Sequence, residues 1–268
     1  MKVIKVVVTG STGRMGQMLI KQVLTDKKLK LIGALEKSGH KKIGSDVGLV
    51  VGKKKIGIKI SDDIISLFSK TEAVIDFSLP EATIEHSKYA AQARIVHIIG
   101  TTGFNSSQLR KIQLASQHAT IIKSGNMSIG INILEKIVSN ISLSLSNSFN
   151  IQIDEIHHKH KIDAPSGTAL MLGNAAAKSK KKKLENIKYI TKLNKQGRIK
   201  KDKIVFSSFR RGGVVGKHDV IFSNNDEIIK VSHTALNRNI FVSGAVEAVK
   251  WGINKKPGLY SMTNVLGL

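Results

Sequence analysis

A glycine-rich turn near the start of the chain constrains the fold more than any other stretch. It reads Gly-Ser-Thr-Gly-Arg-Met-Gly over residues 10–16 and follows a β-branched run at residues 5–9. Apolar residues then recur at helical spacing over 18–24, and a second strand-like run at 29–35 leads into Glu36. The order of strand, glycine turn, helix and strand predicts a βαβ unit, whose two strands run parallel.

The same turn has the features that a dinucleotide site needs. Gly10 permits the sharp turn off the strand, Gly13 lets the backbone approach a pyrophosphate, and Gly16 lets helix and strand pack closely. Glu36, 20 residues after Gly16, is placed to accept a hydrogen bond from a ribose hydroxyl. Glu36 favours NADH and Lys37 tolerates NADPH, so either cofactor is expected. The alternative is a glycine-rich turn without a ligand, and G-x-x-G-x-x-G does differ from the commoner G-x-G-x-x-G.

Strands and helices continue to alternate beyond this unit. Buried strands are predicted over 73–78, 95–99 and 119–123, with helices over 81–93 and 108–118. This alternation predicts an α/β fold with a Rossmann-like doubly wound parallel sheet. Ligands of such sheets bind beyond the carboxyl ends of the strands. Two sets of residues at such ends are therefore candidates for the cofactor cleft, unless they are ordinary polar turns: Gly100, Thr101 and Thr102, and Ser124, Gly125, Asn126 and Met127.

From residue 129 the pattern changes to that of a smaller α+β domain. A helix is followed by short strands, which are predicted over 149–156, 203–209, 214–222 and 227–234. Such a succession predicts an open mixed sheet. Residues 239–252 return to a helical pattern, and we expect the tail to pack back on the first domain. The predicted domains are a dinucleotide-binding domain of residues 1–128 and 238–268, and a substrate-binding and oligomerisation domain of residues 129–237.

The densest group of proton donors lies at residues 155–168, which read Glu-Ile-His-His-Lys-His-Lys-Ile-Asp-Ala-Pro-Ser-Gly-Thr. If the strand conformation continues through this stretch, His157 and Lys161 face one side and His158 and His160 face the other. A histidine and a cationic lysine on one side would form a pair of proton donors.

The end of this stretch predicts an anion site. Ser166 can cap a helix that starts near Gly167, and the N–H groups of Gly167 and Thr168 would then bind a carboxylate, with the Thr168 hydroxyl beside them. His158 could add a hydrogen bond. Two alternatives are a zinc site of His158, His160 and Asp163, which no second cluster completes, and a merely basic surface. We therefore predict no metal.

These stretches resemble the dihydrodipicolinate reductase family of bacteria and plants, whose members act in the diaminopimelate route to lysine. The histidine-rich stretch at 155–170 is similar to the family signature, and residues 8–16 are similar to its nucleotide fingerprint. Residues 99–104 and 126–132 match two further cofactor-side motifs, and the likeness runs nearly end to end. Lys37 departs from the family, which often carries Arg there. The run from Ser124 to Met127 replaces an Ala-rich version that ends in Phe.

The resemblance implies roles for particular residues. His157 would be the acid/base residue, Lys161 would donate the proton as hydride arrives, and His158, Gly167 and Thr168 would hold the substrate carboxylates. The substrate would be a hydroxylated tetrahydrodipicolinate, and the assembly a homotetramer built through the second sheet. NADH or NADPH would be lined by the two strand-end sets named above and by Gly10, Ser11, Thr12, Gly13, Arg14, Met15, Glu36 and Lys37.

Composition limits the partners and the compartment. The 268 residues include no cysteine, so disulfides and thiolate metal sites are excluded and a reducing compartment is expected. No apolar run approaches the roughly 18 residues that span a bilayer. We therefore expect a cytoplasmic protein with no membrane partner. A related dehydrogenase acting on an amino acid or a sugar is an alternative that the histidine signature disfavours.

The net charge of +24 raises another alternative, a non-enzymatic protein that binds nucleic acid or another polyanion. The lysines are scattered along the chain, and no nucleic-acid-binding motif accompanies them. We expect generic electrostatic binding only, which weakens steeply between about 50 and 200 mM salt. Filter binding of DNA and RNA across that range would test this, and tight binding that persists at physiological salt would support the polyanion alternative.

Overall fold

The computed structural model describes residues 2–268 and contains two compact units. The first unit runs to Met127 and resumes over Phe241–Gly267, and the second unit spans Ser128–Ile240. We call them unit 1 and unit 2. None of the helices in the described residues is long and apolar enough to cross a membrane.

The described residues form twelve strands and ten helices. The strands are Ile4–Thr9 (β1), Leu29–Leu35 (β2), Ile60–Ser61 (β3), Ala73–Asp76 (β4), Val96–Ile99 (β5), Thr120–Lys123 (β6), Asn150–His157 (β7), Lys188–Ile190 (β8), Ile204–Arg210 (β9), Gly216–Ser223 (β10), Ile228–Ala235 (β11) and Gly258–Tyr260 (β12). The helices are Arg14–Thr25 (α1), Val47–Val50 (α2), Ile64–Phe68 (α3), Pro80–Ala93 (α4), Ser106–Ala115 (α5), Ile129–Ser144 (α6), Gly167–Ser179 (α7), Leu184–Ile187 (α8), Asn239–Gly252 (α9) and Met262–Leu266 (α10).

Unit 1 is built on a parallel sheet of seven strands in the order β12-β6-β5-β4-β1-β2-β3. Its central strands are buried along their length, since helices cover a parallel sheet. Val7, Val74 and Ile99 pack with Ile112 of α5 in one core cluster. The sheet therefore confirms the predicted Rossmann-like α/β fold.

The last strand of this sheet is not evident in the sequence. β12 has three residues, and Gly258, Leu259 and Tyr260 pair in parallel with Thr120, Ile121 and Ile122 of β6. The Thr120 hydroxyl also lies 3.0 Å from the carbonyl oxygen of Lys255. The tail thus extends the sheet of unit 1, although its sequence pattern is too short to predict a strand.

Unit 2 contains the mixed sheet that the sequence predicts, in the order β11-β10-β7-β9-β8. The central strand β7 runs antiparallel to β10 and parallel to β9. Leu134 and Val138 of α6 and Leu172 of α7 pack with Phe206 and Phe222 of the sheet in one core cluster. This core fixes β7, the strand that leads into the histidine-rich stretch. The short elements α8 and β8 were not predicted.

A glycine in α9 allows close packing inside unit 1. A Cβ at Gly244 would overlap the carbonyl oxygen of Met127. We expect Gly244→Ala to lower the free energy of unfolding by about 1–3 kcal/mol, because overpacking outweighs the gain in helix propensity of about 1 kcal/mol. Denaturant unfolding would measure this. Gly213→Ala is the matched control, because its new Cβ meets open space; equal stability of the two variants would contradict the packing explanation.

Candidate active site

The glycine turn of unit 1 has the close packing that the sequence predicts. Gly10 adopts a φ of +59°, which favours glycine, and a Cβ at Gly16 would overlap the carbonyl oxygen of Gly10. The N-cap of α1 is Gly13, and no side chain of the described residues caps this helix. The N–H groups of its first turn therefore remain open for an anion.

A cavity of about 490 Å³ opens beside this turn. It is lined from β1, β2 and the segment after β4, including Gly10, Gly13, Glu36, Lys37 and Phe77. The open N–H groups at the start of α1 can donate hydrogen bonds to a pyrophosphate. Glu36, just after β2, can accept hydrogen bonds from a ribose, and a dinucleotide site needs both. The residues present therefore fit a nicotinamide nucleotide.

Glu36 is held in place by the turn itself. Its Oε2 accepts hydrogen bonds from the Thr12 backbone N–H at 3.2 Å and from the Thr12 hydroxyl at 2.8 Å, and Oε1 accepts one from the Lys37 N–H at 3.1 Å. Burial alone would raise the pKa of Glu36, but the hydrogen bonds from Thr12 and Lys37 outweigh burial and lower the pKa below its usual value. The carboxylate is therefore a fixed, ionised acceptor at the edge of the cavity.

The predicted residues after β5 and β6 form two ordered turns. A Cβ at Gly100 would overlap the ring of Phe77, whereas Thr102 is exposed. After β6, the Ser124 hydroxyl donates to the Asn126 carbonyl at 2.7 Å. Met127 is buried and completes this turn. Both turns follow strands of the parallel sheet, at the edge where ligands of such sheets bind.

A buried carboxylate that the sequence analysis missed joins the loops after β4 and β5. Asp76 is fully buried, and its Oδ2 lies 2.7 Å from His86 Nδ1 and 3.2 Å from His97 Nε2. Its Oδ1 accepts hydrogen bonds from the backbone and hydroxyl of Ser78 and lies near the Thr101 hydroxyl. Asp76 thus fixes the two segments that carry Phe77 and Gly100.

In unit 2 the extended conformation ends at His157, so the predicted alternation of residues 157–161 is wrong. The Lys159 N–H donates to the Gly212 carbonyl at 3.1 Å, and the Lys161 N–H donates to the His158 carbonyl at 3.1 Å. The chain turns here because both neighbouring strands stop: β9 ends opposite His157, and the pairing with β10 ends one residue earlier. Lys161 therefore reaches its position through a turn.

His157 projects from the end of β7 into a buried cluster. Its Nδ1 lies 3.0 Å from Glu155 Oε2, and its ring meets the His218 ring edge-on with 5.0 Å between centroids. Its Nε2 lies on the side of Gly216, where a Cβ would be 3.1 Å away. The two ring nitrogens thus face different surroundings, a carboxylate on one side and a residue without a side chain on the other.

Glu155 links this histidine to the following loop. Its Oε1 accepts hydrogen bonds from the Ser166 N–H at 3.0 Å and from Arg210 Nη2 at 3.3 Å. Burial alone would raise the pKa of Glu155, but the contacts from His157 and Ser166 outweigh burial and hold the pKa far below its usual range. Burial lowers the pKa of His218 to about 3, so His218 stays neutral.

Lys161 lies on the loop beside this cluster. Its Nζ is 2.7 Å from Asp163 Oδ1, and its side chain is 22% exposed. Arg210 Nε donates to the Lys161 carbonyl at 3.1 Å, and Arg210 Nη2 also donates to the Asp163 carbonyl. Among the described residues, the ion-pair partner of the lysine ammonium is the partly exposed Asp163, and the lysine backbone is anchored by Arg210.

The predicted anion site begins at the helix that follows this loop. Ser166 is the N-cap of α7, and its hydroxyl accepts a hydrogen bond from the Ala169 N–H at 3.2 Å, which confirms the predicted cap. Gly167 faces open space, and Thr168 is half-buried. His158 is also half-buried; partial desolvation and the nearby charge of Arg238 lower its pKa. Gly167 and Thr168 are the first two residues of α7.

The sequence analysis did not assign roles to Glu155, Arg210 and His218. Their signal lies in strand register: Glu155 is two residues before His157 and so shares its face of the strand. His218 pairs directly with Glu155 across β10, and Arg210 pairs with His157 across β9. These pairings require knowledge of which strands are neighbours, which the sequence alone did not provide.

The acidic and imidazole groups that cluster here differ from those of the zinc alternative. Ligand atoms of Glu155, His157 and His218 lie within 4.8 Å of one another. The rings of His158 and His160, which the zinc alternative invoked, lie with centroids 6.4 Å apart. The guanidinium of Arg210 already supplies positive charge to Glu155, so an ion pair accounts for this cluster without a metal.

Comparisons with known proteins point to one family. The model described as "Dihydrodipicolinate reductase, N-terminus" matches residues 4–127, and the model described as "Dihydrodipicolinate reductase, C-terminus" matches residues 130–266. A relative named 4-hydroxy-tetrahydrodipicolinate reductase in Parvibaculum lavamentivorans is 46% identical over 266 residues, which cover 99% of this chain and 98% of the relative. A relative of the same name in Dinoroseobacter shibae is 44% identical over 263 residues, 98% of each chain.

Solved structures share the fold. A dipicolinate-bound dihydrodipicolinate reductase from Paenisporosarcina sp. TG-14 matches with a TM-score of 0.77 and 24% identity, over 97% of each chain. An amine dehydrogenase from Mycobacterium smegmatis matches with a TM-score of 0.66 and 12% identity, over 97% of this chain and 95% of that chain. At these identities the structural likeness concerns the fold alone.

We expect Asp76→Asn to lower the free energy of unfolding by about 3–5 kcal/mol, because the buried histidines lose their charged partner. Burial opposes ionisation of Asp76, but His86 and His97 lower its pKa well below the ordinary value of 3.8. The carboxylate therefore contributes stability above that pH, and the contribution is lost as the pH falls below it. Unfolding curves at neutral and acidic pH would test this.

The exposed Asp62 provides the control for this prediction. Asp62→Asn should change stability by no more than about 0.5 kcal/mol at any pH. The difference in free energy of unfolding between wild type and Asp76→Asn should become smaller toward acidic pH. A difference that stays constant would contradict the ionised state of Asp76.

Proposed function

Because this chain belongs to the dihydrodipicolinate reductase family, which matches in both halves and at 44–46% identity, we propose that it reduces 4-hydroxy-tetrahydrodipicolinate to tetrahydrodipicolinate in the diaminopimelate route to lysine. The observation that carries this proposal is the arrangement at residues 155–168. There a buried histidine, an anchored loop lysine and the start of α7 lie on consecutive segments of unit 2.

Binding of a dicarboxylate follows from the charges of that stretch. We assign the substrate carboxylates to His158 and to the N–H groups of Gly167 and Thr168 at the start of α7, with the Thr168 hydroxyl beside them. The ion pair between Lys161 and Asp163 is partly exposed and therefore weak, so a substrate carboxylate can compete for the lysine. The site thus presents cations and N–H donors to a doubly charged ligand.

Proton transfer is the chemistry that this chain's own residues supply. The bound nicotinamide nucleotide provides the hydride. Lys161 donates a proton to the ring atom next to the one that receives the hydride, and His157 acts as the acid/base residue of the same site. The substrate hydroxyl leaves as water, so the net change is loss of water and addition of one hydride and one proton.

We assign cofactor binding to unit 1 and substrate binding to unit 2. The open start of α1 would receive the pyrophosphate, and Glu36 the ribose hydroxyls. The carboxylate of Glu36 repels a 2′-phosphate, while Lys37 attracts one as a point charge without the bidentate grip of arginine. We therefore propose that both NADH and NADPH are used.

Two further proposals concern assembly and location. The outer strand β11 of unit 2 is exposed at alternate residues, and Ile228 within it and Leu236 after it are 71% and 84% exposed. Apolar side chains of this size on a sheet edge favour contact with further copies of the chain, in line with a homotetramer. The absence of cysteine favours the cytoplasm.

The decisive experiment is oxidation of NADH and of NADPH by the purified protein with freshly generated 4-hydroxy-tetrahydrodipicolinate. Loss of reduced-nicotinamide absorbance reports turnover. Activity with both cofactors supports the proposal. Reduction of NAD⁺ or NADP⁺ by an amino acid or a sugar, with no turnover of 4-hydroxy-tetrahydrodipicolinate, would favour a related dehydrogenase and overturn the proposal.

The same assay tests the role of Lys161. We expect Lys161→Ala to lower kcat by about 10²–10⁴-fold, because the proton donor is lost. The dissociation constant of the cofactor should stay unchanged, since Lys161 lies in unit 2 and the nucleotide turn in unit 1. Lys159→Ala is the control, because Lys159 is an exposed lysine on the same loop. Unchanged turnover in Lys161→Ala would rule out this role.

A further inference from the structure

We infer that Glu155 is a positioning residue, whose one buried carboxylate orients the His157 ring and ties the Lys161 loop and the start of α7 to it. This inference rests on the proposed function for its effect on turnover. The geometry of Glu155 stands on its own, because the carboxylate and all its partners belong to unit 2.

The first step is the position of Glu155 on β7. The side chains of this strand alternate between buried and half-buried, so Glu155 and His157 project from the same face. Glu155 is 1% exposed. Burying an ionised carboxylate costs several kcal/mol unless its lone pairs are satisfied. The ionised carboxylate of Glu155 therefore needs hydrogen-bond donors around it, and those donors are held in place by it.

The second step is that the two carboxylate oxygens of Glu155 face different partners. Oε1 accepts hydrogen bonds from the Ser166 backbone and from Arg210. Oε2 accepts no hydrogen bond of normal geometry from the described residues, and neither does His157 Nδ1, although the two atoms are 3.0 Å apart. A small rotation of the ring would bring Nδ1–H onto Oε2.

The third step is the reach of Arg210. Its Nη2 contacts Glu155 Oε1 and also donates to the Asp163 carbonyl, while its Nε donates to the Lys161 carbonyl at 3.1 Å. The guanidinium thus connects the buried carboxylate to the backbone of the loop that carries Lys161. Glu155 in turn holds the N–H of Ser166, the residue that caps α7. Glu155 thus connects the backbone of the Lys161 loop, the His157 ring and the start of α7.

The fourth step is which imidazole responds to the charge. The neutral His218 holds its Nε2 3.1 Å from the Ser166 hydroxyl and 3.8 Å from Glu155 Oε2. Arg210 and Lys161 are cationic, and Lys161 is paired with Asp163. Of the two imidazoles, His157 therefore has the ring nitrogen closer to Glu155 Oε2, at 3.0 Å. The carboxylate places the Nδ1 proton and leaves Nε2 as the reactive nitrogen, because the partner of one ring nitrogen sets the role of the other.

The activity test compares Glu155→Gln with Glu155→Asp. We expect Glu155→Gln to lower kcat by about 10²-fold or more with a smaller change in KM, because histidine orientation and charge are lost together. Glu155→Asp, which keeps the charge, should recover part of kcat.

The matched control is Glu135→Gln, which makes the same chemical change at a half-buried glutamate of α6 in the same unit. It should leave kcat unchanged. A Glu155→Gln enzyme whose kcat falls no more than that of the control would overturn the inference. So would a Glu155→Asp enzyme that recovers none of the kcat lost in Glu155→Gln, because the retained negative charge would then have no effect.

Nitrogen NMR of histidine-labelled protein tests the geometry without turnover. The His157 signals are identified by their loss in His157→Gln. Wild type should carry the His157 proton on Nδ1, and Glu155→Gln should lose that preference. If wild type shows the proton on Nε2 alone, the inference is wrong even if the enzyme is active.

If wild type shows the Nδ1 proton but no reductase activity, the proposed function fails and the positioning role of Glu155 stands. A Glu155→Gln variant that does not fold leaves the wild-type tautomer and Glu155→Asp as the deciding measurements.

Discussion

A carboxylate buried at the carboxyl end of a central strand is stable only when neighbouring segments supply its hydrogen bonds and positive charge, and each unit depends on one such group. In unit 1, Asp76 at the end of β4 holds two histidines and the loop residues Ser78 and Thr101. In unit 2, Glu155 near the end of β7 holds Arg210 and the start of α7. The hydrogen bonds to these two carboxylates fix the loops that carry the proposed site residues. Losing those bonds would leave a buried charge without partners, at a high cost in free energy of folding.

The sequence predicted most of the fold because its strongest patterns are local. Strand runs such as β1 and the glycine turn over residues 10–16 are visible within a few residues of chain. The elements that it missed, α2, β3, α8, β8, β12 and α10, are two to five residues long. β12 becomes a strand only because it pairs with β6, more than a hundred residues earlier in the chain. No local pattern carries that information.

The candidate site divides in the same way. Ser166 was predicted as a helix cap from its neighbours alone, and the structure has it there. The position of Lys161 was argued from strand alternation, which fails because the strands beside β7 end at His157. Arg210 and His218 come from strands far away in sequence, and their approach to Glu155 depends on register. Contacts between charged residues on different strands are therefore the part of a site that cannot be predicted from a single sequence.

The pairing of β12 with β6 has a consequence for how the chain reaches its folded state. Apart from Leu268, unit 2 is one continuous segment, Ser128–Ile240, so its contacts need no residue from 241–267. The sheet of unit 1 is interrupted by that whole segment, so the open edge of β6 must wait for residues 258–260. An unpaired strand edge invites association with other chains. Until residues 258–260 pair with β6, the edge of that strand is therefore open to contact with other chains.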